Sequence, residues 1–99
     1  MINIHNLTLF IYISMSPNKE DLKNKIIYRA SYRGSKEMDI LMISFVKSII
    51  NEINSNSLNI LDEFVNMNDE TLVSIKNKDS LLNISNPIMV DIVDRFPKF

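Results

Sequence analysis

The side chains that could do chemistry in this chain are few. The sequence has no cysteine and a single histidine, His5, in a segment that looks like a loose N-terminal tail. It therefore offers no thiol nucleophile, no Cys/His zinc site and no serine–histidine pair on a rigid element. The only glycine, Gly34, cannot form a phosphate-binding loop of the GxGxxG or GxxxxGK type. An enzyme built on this chain would have to use carboxylates, lysines or tyrosines alone.

One pair of carboxylates is a candidate for such catalysis. Glu37 and Asp39 stand two residues apart in a segment with helical periodicity. Side chains two apart on a helix do not face each other, so this pair is poorly placed for two-carboxylate catalysis. We therefore expect no catalytic residues and no metal site, and we expect the chain to act by binding a partner.

Charge is distributed unevenly along the chain, although the net charge is only −1. Residues 19–36 contain six basic and two acidic residues, whereas residues 37–70 contain seven acidic residues and one lysine. This polarity suits a protein partner recognised by complementary charge and disfavours general nucleic-acid binding, which needs a basic surface. The plainer interpretation is that both runs are solvated helix faces.

Five helices are predicted to position these residues. Ser16 and Pro17 begin the first helix and Gly34 ends it. The second helix starts at Ser35, and the third is capped by Ser57 and runs to about Met67. The fourth helix is capped by Asn68 or Asp69, and the fifth follows Asn86-Pro87. The apolar side of the second helix is Met38, Leu41, Met42, Phe45, Val46, Ile49, Ile50 and Ile53. Inward positions elsewhere are Leu58, Leu61, Phe64, Val65, Leu72, Val73, Ile75, Met89, Ile92, Val93 and Phe96.

The predicted fold is an all-α, small bundle of about five short helices, formed by residues 16–99 as a single domain of one modest core. Residues 1–15 are expected to be an irregular apolar tail, an added edge strand, or an extension upstream of a true start at Met15. The tail lacks the basic residues of a secretory signal or transit peptide, and no apolar run is long enough to cross a bilayer. We therefore expect a protein of the bacterial cytoplasm without membrane insertion, or of the mitochondrial matrix if a transit peptide precedes this sequence.

The order Arg33-Gly34-x-x-Glu37 stands between the first two predicted helices, followed by Asp39, Leu41 and Phe45. One interpretation is a helix stop with solvent-exposed charges. It also resembles the RGxxE motif of the SdhE-type succinate dehydrogenase assembly (flavinylation) factors. The segment ILDEFVNMNDETLVSI at 60–75 is similar to that family's third and fourth helices, with Asn68 to Leu72 at its acidic joint. The chain departs from the pattern at Tyr32, where the family usually has a second arginine, and at Ile75, where tryptophan is common.

The resemblance implies an assembly factor, not an enzyme. Such factors bind the flavoprotein subunit of succinate dehydrogenase, or of related fumarate reductases, while FAD is attached covalently to it. FAD then belongs to the partner and is not held firmly by the factor, which is expected to be a monomer when free. The implied partner-binding residues are Arg33, Gly34, Glu37, Lys36, Asp39 and Tyr32. The alternative is a small helical interaction or regulatory module whose RGxxE match is accidental.

Overall fold

The computed structural model describes residues 19–79 and 83–99, and these two ranges contain five α-helices and no strand. The helices are α1 (Lys19–Ala30), α2 (Lys36–Ile49), α3 (Leu58–Val65), α4 (Asp69–Lys76) and α5 (Pro87–Arg95), with short 3-10 turns at Ser55–Ser57 and Phe96–Lys98. The all-α prediction is therefore confirmed. The predicted helix start at Ser16-Pro17 and the apolar tail lie outside the described residues. None of the described helices has both the length and the apolar character that crossing a bilayer requires.

Polar side chains begin three of these helices as predicted. The Ser35 hydroxyl accepts from the Met38 N–H, and the Asn68 side chain accepts from the Thr71 N–H. The Asn86 side chain accepts from the amides of Ile88 and Met89 ahead of α5. Each bond satisfies an amide that a helix start would otherwise leave unpaired.

Ser57 stands at the N-cap position of α3 as predicted, but the capping bond is absent. Ser57 makes no side-chain bond to the start of α3, and the Asn54 side chain instead accepts from the Asn56 N–H. The chain thus enters α3 through the 3-10 turn at Ser55–Ser57, a common lead into an α-helix. The helix itself ends at Val65, short of the predicted Met67.

The predicted apolar faces form the core. On α2 and just after it, Met38, Met42, Phe45, Val46, Ile49 and Ile50 are buried, while Leu41 and Ile53 are half-buried at the edge. Leu58, Leu61, Phe64, Val65, Leu72, Ile75, Met89, Ile92 and Phe96 are buried as well. The exception is Val73, predicted to face inward, which is 48% exposed. It lies on the outer side of α4, a helix of only two turns on which Leu72 and Ile75 supply the buried side.

The rings of Phe45, Phe64 and Phe96 meet in this core, and the partly exposed Phe99 ring contacts Phe45. The Phe45 ring lies 4.9 Å from Phe96, 5.7 Å from Phe64 and 5.4 Å from Phe99, measured between ring centroids. Phe64 and Phe96 meet edge to face at 5.3 Å. Tilted and edge-on contacts suit the ring quadrupoles and add stability beyond simple burial. These contacts tie α2, α3 and the C-terminal turn together.

Candidate functional site

The corner between α1 and α2 carries the RGxxE residues, and its backbone differs from the prediction in one respect. The helix α1 ends at Ala30, and Ser31 and Tyr32 close the last turn with bonds to Ile27, Tyr28 and Arg29 carbonyls. Gly34 lies beyond that turn, so it does not end the helix as predicted. Its φ of +106° is nevertheless a conformation that favours glycine, and it delivers the chain into the extended Ser35 cap of α2.

Arg33 points into the protein. Its side chain is only 11% exposed, and each of its three guanidinium nitrogens has a partner in the same chain. Nη1 donates to the Val65 carbonyl at 2.6 Å, and Nη2 donates to the Met67 carbonyl. These carbonyls lie at and just beyond the C-terminal end of α3, where a cation is favoured and helical partners run out. Arg33 therefore fastens the corner to the end of α3.

Two aspartates complete this arrangement. Asp69, in the first turn of α4, accepts from Arg33 Nε at 3.1 Å and lies 3.0 Å from Nη2. Asp39, predicted as a partner-binding residue, is half-buried, and its carboxylate accepts from the Arg33 backbone N–H. Asp69 was not among the predicted site residues. Its place in the acidic joint at the start of α4 marked it as a candidate, but no sequence pattern indicated that it would pair with Arg33.

The remaining predicted site residues face outward. Tyr32, Gly34, Lys36 and Glu37 are all exposed. Among the described residues the Glu37 side chain makes no ion pair or hydrogen bond, and the carboxylate that orients Arg33 is that of Asp69. Glu37 keeps its acceptor oxygens available to another molecule.

A shallow groove of about 270 Å³ opens beside the corner. It is lined by Ser35, Glu37, Met38, Leu41, Asp69 and Val73. The outward-facing Val73 thus contributes apolar surface to the groove, and Glu37 and Asp69 contribute carboxylates. The apolar lining and the unengaged Glu37 carboxylate can receive a partner side chain that combines an apolar stem with a polar end.

An exposed aromatic pair flanks the same corner on the α1 side. Tyr28 and Tyr32 are 65% and 70% exposed, and their ring centroids are 4.7 Å apart. Tyrosine is enriched at protein interfaces because it joins a large apolar ring to a polar hydroxyl. Tyr28 extends the predicted set with a second ring at the side of Tyr32.

Some of the unevenly distributed charged residues form ion pairs with each other. Arg29 pairs with Asp62 at 2.5 Å, and Arg33 pairs with Asp69 at 3.0 Å. Both pairs join the basic segment of residues 19–36 to the acidic segment of residues 37–70. The charge polarity expected to serve a partner therefore also holds α1 and the corner against α3 and α4.

A known protein family matches most of this chain. A model of the Sdh5 family, described as flavinator of succinate dehydrogenase, matches residues 24–95, more than two thirds of the 99-residue chain. The matched range includes the whole corner, Asp69 and all of α2 to α5. Neither the curated proteins nor the solved structures contain a significant match to the chain.

Proposed function

The chain belongs to the Sdh5 family of flavinators of succinate dehydrogenase, and from this premise we propose that it binds the flavoprotein subunit of that enzyme and promotes covalent attachment of FAD to it. The related fumarate reductase flavoprotein is a second client of the same kind. The family match carries this proposal. It also favours an assembly factor over an unrelated helical regulatory module.

The proposed partner-binding surface is the outer side of the α1–α2 corner. Gly34 and Glu37 lie at its centre, with Tyr32 and Lys36 beside them, and the groove along α2 and α4 continues it. Gly34 has no Cβ, so a partner backbone can approach closely there. Glu37 has acceptor oxygens without a partner in the described chain, and the tyrosine pair supplies aromatic contact area. This combination supports a modest interface with a few dominant contacts.

Arg33 and Asp39 enter the proposal in a different way from the other site residues. Both were predicted to touch the partner, yet their polar groups bond within the chain. We assign them the task of holding Gly34 and Glu37 in place. The RGxxE motif then divides into an inner arginine that supports the corner and an outer glycine and glutamate that meet the partner.

The proposed action is conformational. The bond between flavin and protein forms within the flavoprotein, and this chain contributes binding energy that holds the flavoprotein in a conformation suited to the reaction. Alignment of reacting groups can lower a barrier by several kcal/mol without any new reactive group. An assembly factor of this kind needs no nucleophile, metal or phosphate loop of its own.

Co-expression with a flavoprotein subunit tests the proposal. The flavoprotein is isolated from cells with and without this chain, denatured, and examined for flavin fluorescence that stays with the polypeptide. We expect covalent flavin to rise when the chain is present and the two proteins to copurify. If the flavoprotein gains no covalent flavin and does not bind the chain, the proposed function is wrong.

A further inference from the structure

The contact between Arg33 and Asp69 has a consequence for the groove beside it. We propose that Asp69 is a positioning residue: by holding Arg33, it fixes Gly34 and Glu37 against α4 and so shapes the partner-binding corner. The role of Asp69 in partner binding rests on the proposed function. Its effect on the conformation of the corner can be measured on the free protein.

The two carboxylate oxygens of Asp69 have different surroundings. Oδ1 lies 3.1 Å from Arg33 Nε and 3.0 Å from Nη2. Oδ2 faces the corner backbone, since a Cβ added to Gly34 would lie 3.7 Å from it. Asp69 therefore binds the inner arginine of the RGxxE motif and lies close to its outer glycine.

Charge makes Asp69 necessary to this arrangement. The Arg33 side chain is 11% exposed, and a largely desolvated cation needs a nearby anion as well as hydrogen-bond acceptors. The carbonyls of Val65 and Met67 accept hydrogen bonds, but they carry no net charge. Asp69 is the acid within ion-pair distance of Arg33 among the described residues. Without that charge, the guanidinium is expected to turn toward water.

Movement of Arg33 would be transmitted to the groove. Asp39 accepts from the Arg33 backbone N–H, so the arginine and the start of α2 are linked directly. The groove has one wall from α2, including Glu37, and another from α4, including Val73. The most extensive contacts of α4 are with the C-terminal turn Phe96–Lys98. Through the Asp39 bond, the Arg33–Asp69 pair therefore links the two walls by polar contacts.

The structure provides a matched control in the Arg29–Asp62 pair. It too joins the basic segment to an acidic residue, at 2.5 Å, but it does not line the groove. Asp69→Asn and Asp62→Asn each remove one charge and nearly preserve side-chain shape. The first should disturb the corner, whereas the second should not.

Amide hydrogen exchange of the free, full-length variants measures this difference. We expect Asp69→Asn to speed exchange about tenfold at Arg33, Met38 and Asp39, whose N–H groups bond within the corner, and to leave Val90 in α5 unchanged. Asp62→Asn should leave all four amides nearly unchanged. Unaltered corner exchange in Asp69→Asn, or equal acceleration at Val90, would overturn the positioning role.

Affinity for the flavoprotein subunit separates positioning from direct contact. A residue that acts through Arg33 gives coupled losses, so Asp69→Asn, Arg33→Lys and the double variant should all weaken binding by a similar factor of about ten. Additive losses would instead place Asp69 in contact with the partner and overturn the proposal. If the unmodified chain does not bind the flavoprotein, the proposed function fails, while the exchange result still decides whether Asp69 positions the corner.

Discussion

Gly34 and the Asp69 carboxylate lie close together at the α1–α2 corner, with room between them for a methyl group. A methyl group on Gly34 would lie 3.7 Å from Asp69 Oδ2, an ordinary van der Waals distance. Space within the described part of the chain therefore does not demand glycine here. The φ of +106° does, because an L-residue with a Cβ is strained there.

Gly34→Ala should consequently lower the free energy of unfolding by about 1–2 kcal/mol through backbone strain alone. For a domain of this size that corresponds to a fall in Tm of roughly 4–16 °C. Flavin incorporation should fall further than this loss of stability explains, because the added methyl lies on the proposed contact surface. Urea denaturation and covalent flavin fluorescence measure the two effects. Unchanged stability would contradict the strained conformation.

Phe45→Ala should lower the free energy of unfolding by about 3–5 kcal/mol, the range for a large ring removed from a packed core. Phe45 is 1% exposed and contacts three other phenylalanine rings. Phe99→Ala is the control, since that ring is 48% exposed and its edge contact with Phe45 is worth about 1 kcal/mol. Equal losses in the two variants would show that Phe45 is not central to the core.

The helix caps give a second matched pair. Asn68→Ala should cost about 1 kcal/mol, because the Asn68 side chain accepts from the Thr71 N–H at 2.8 Å at the start of α4. Ser57→Ala should cost much less, because Ser57 makes no cap bond to α3. Thermal unfolding of the two variants measures the difference. A loss at Ser57 as large as that at Asn68 would contradict the observed entry into α3.

The sequence predicted those features that depend on neighbouring residues. The buried side of α2 follows from the spacing of Met38, Met42, Phe45 and Ile49, and the start of α5 follows from Asn86-Pro87. These signals are local: one depends on the 3.6-residue turn, and the other on the unpaired amides of a helix start. Val73 was misplaced because an eight-residue helix has too few turns for periodicity to choose between adjacent apolar residues.

The inner half of the corner could not be predicted in the same way. The partners of Arg33 are Val65, Met67 and Asp69, which lie 32 to 36 residues farther along the chain. No local pattern specifies which carbonyls a guanidinium will reach, since that depends on how α3 packs against α1. The motif therefore identified the corner, while only the packing showed that its arginine turns inward.

Glu37 provides the sharpest test of the outer half. It is exposed and has no hydrogen bond or ion pair within the described chain, so its stabilising effect should be limited to the start of α2. A carboxylate in the first turn of a helix contributes about 0.3–1 kcal/mol, and Glu37→Ala should cost no more than that. The same substitution should strongly reduce covalent flavin incorporation if Glu37 meets the flavoprotein. Glu63→Ala, which removes an exposed carboxylate from α3, should leave flavin incorporation normal. Melting curves and flavin fluorescence are measured on the unmodified protein, Glu37→Ala and Glu63→Ala. Normal flavin incorporation by Glu37→Ala would show that Glu37 does not belong to the partner-binding site. A large loss of stability in Glu37→Ala would show that its role is structural.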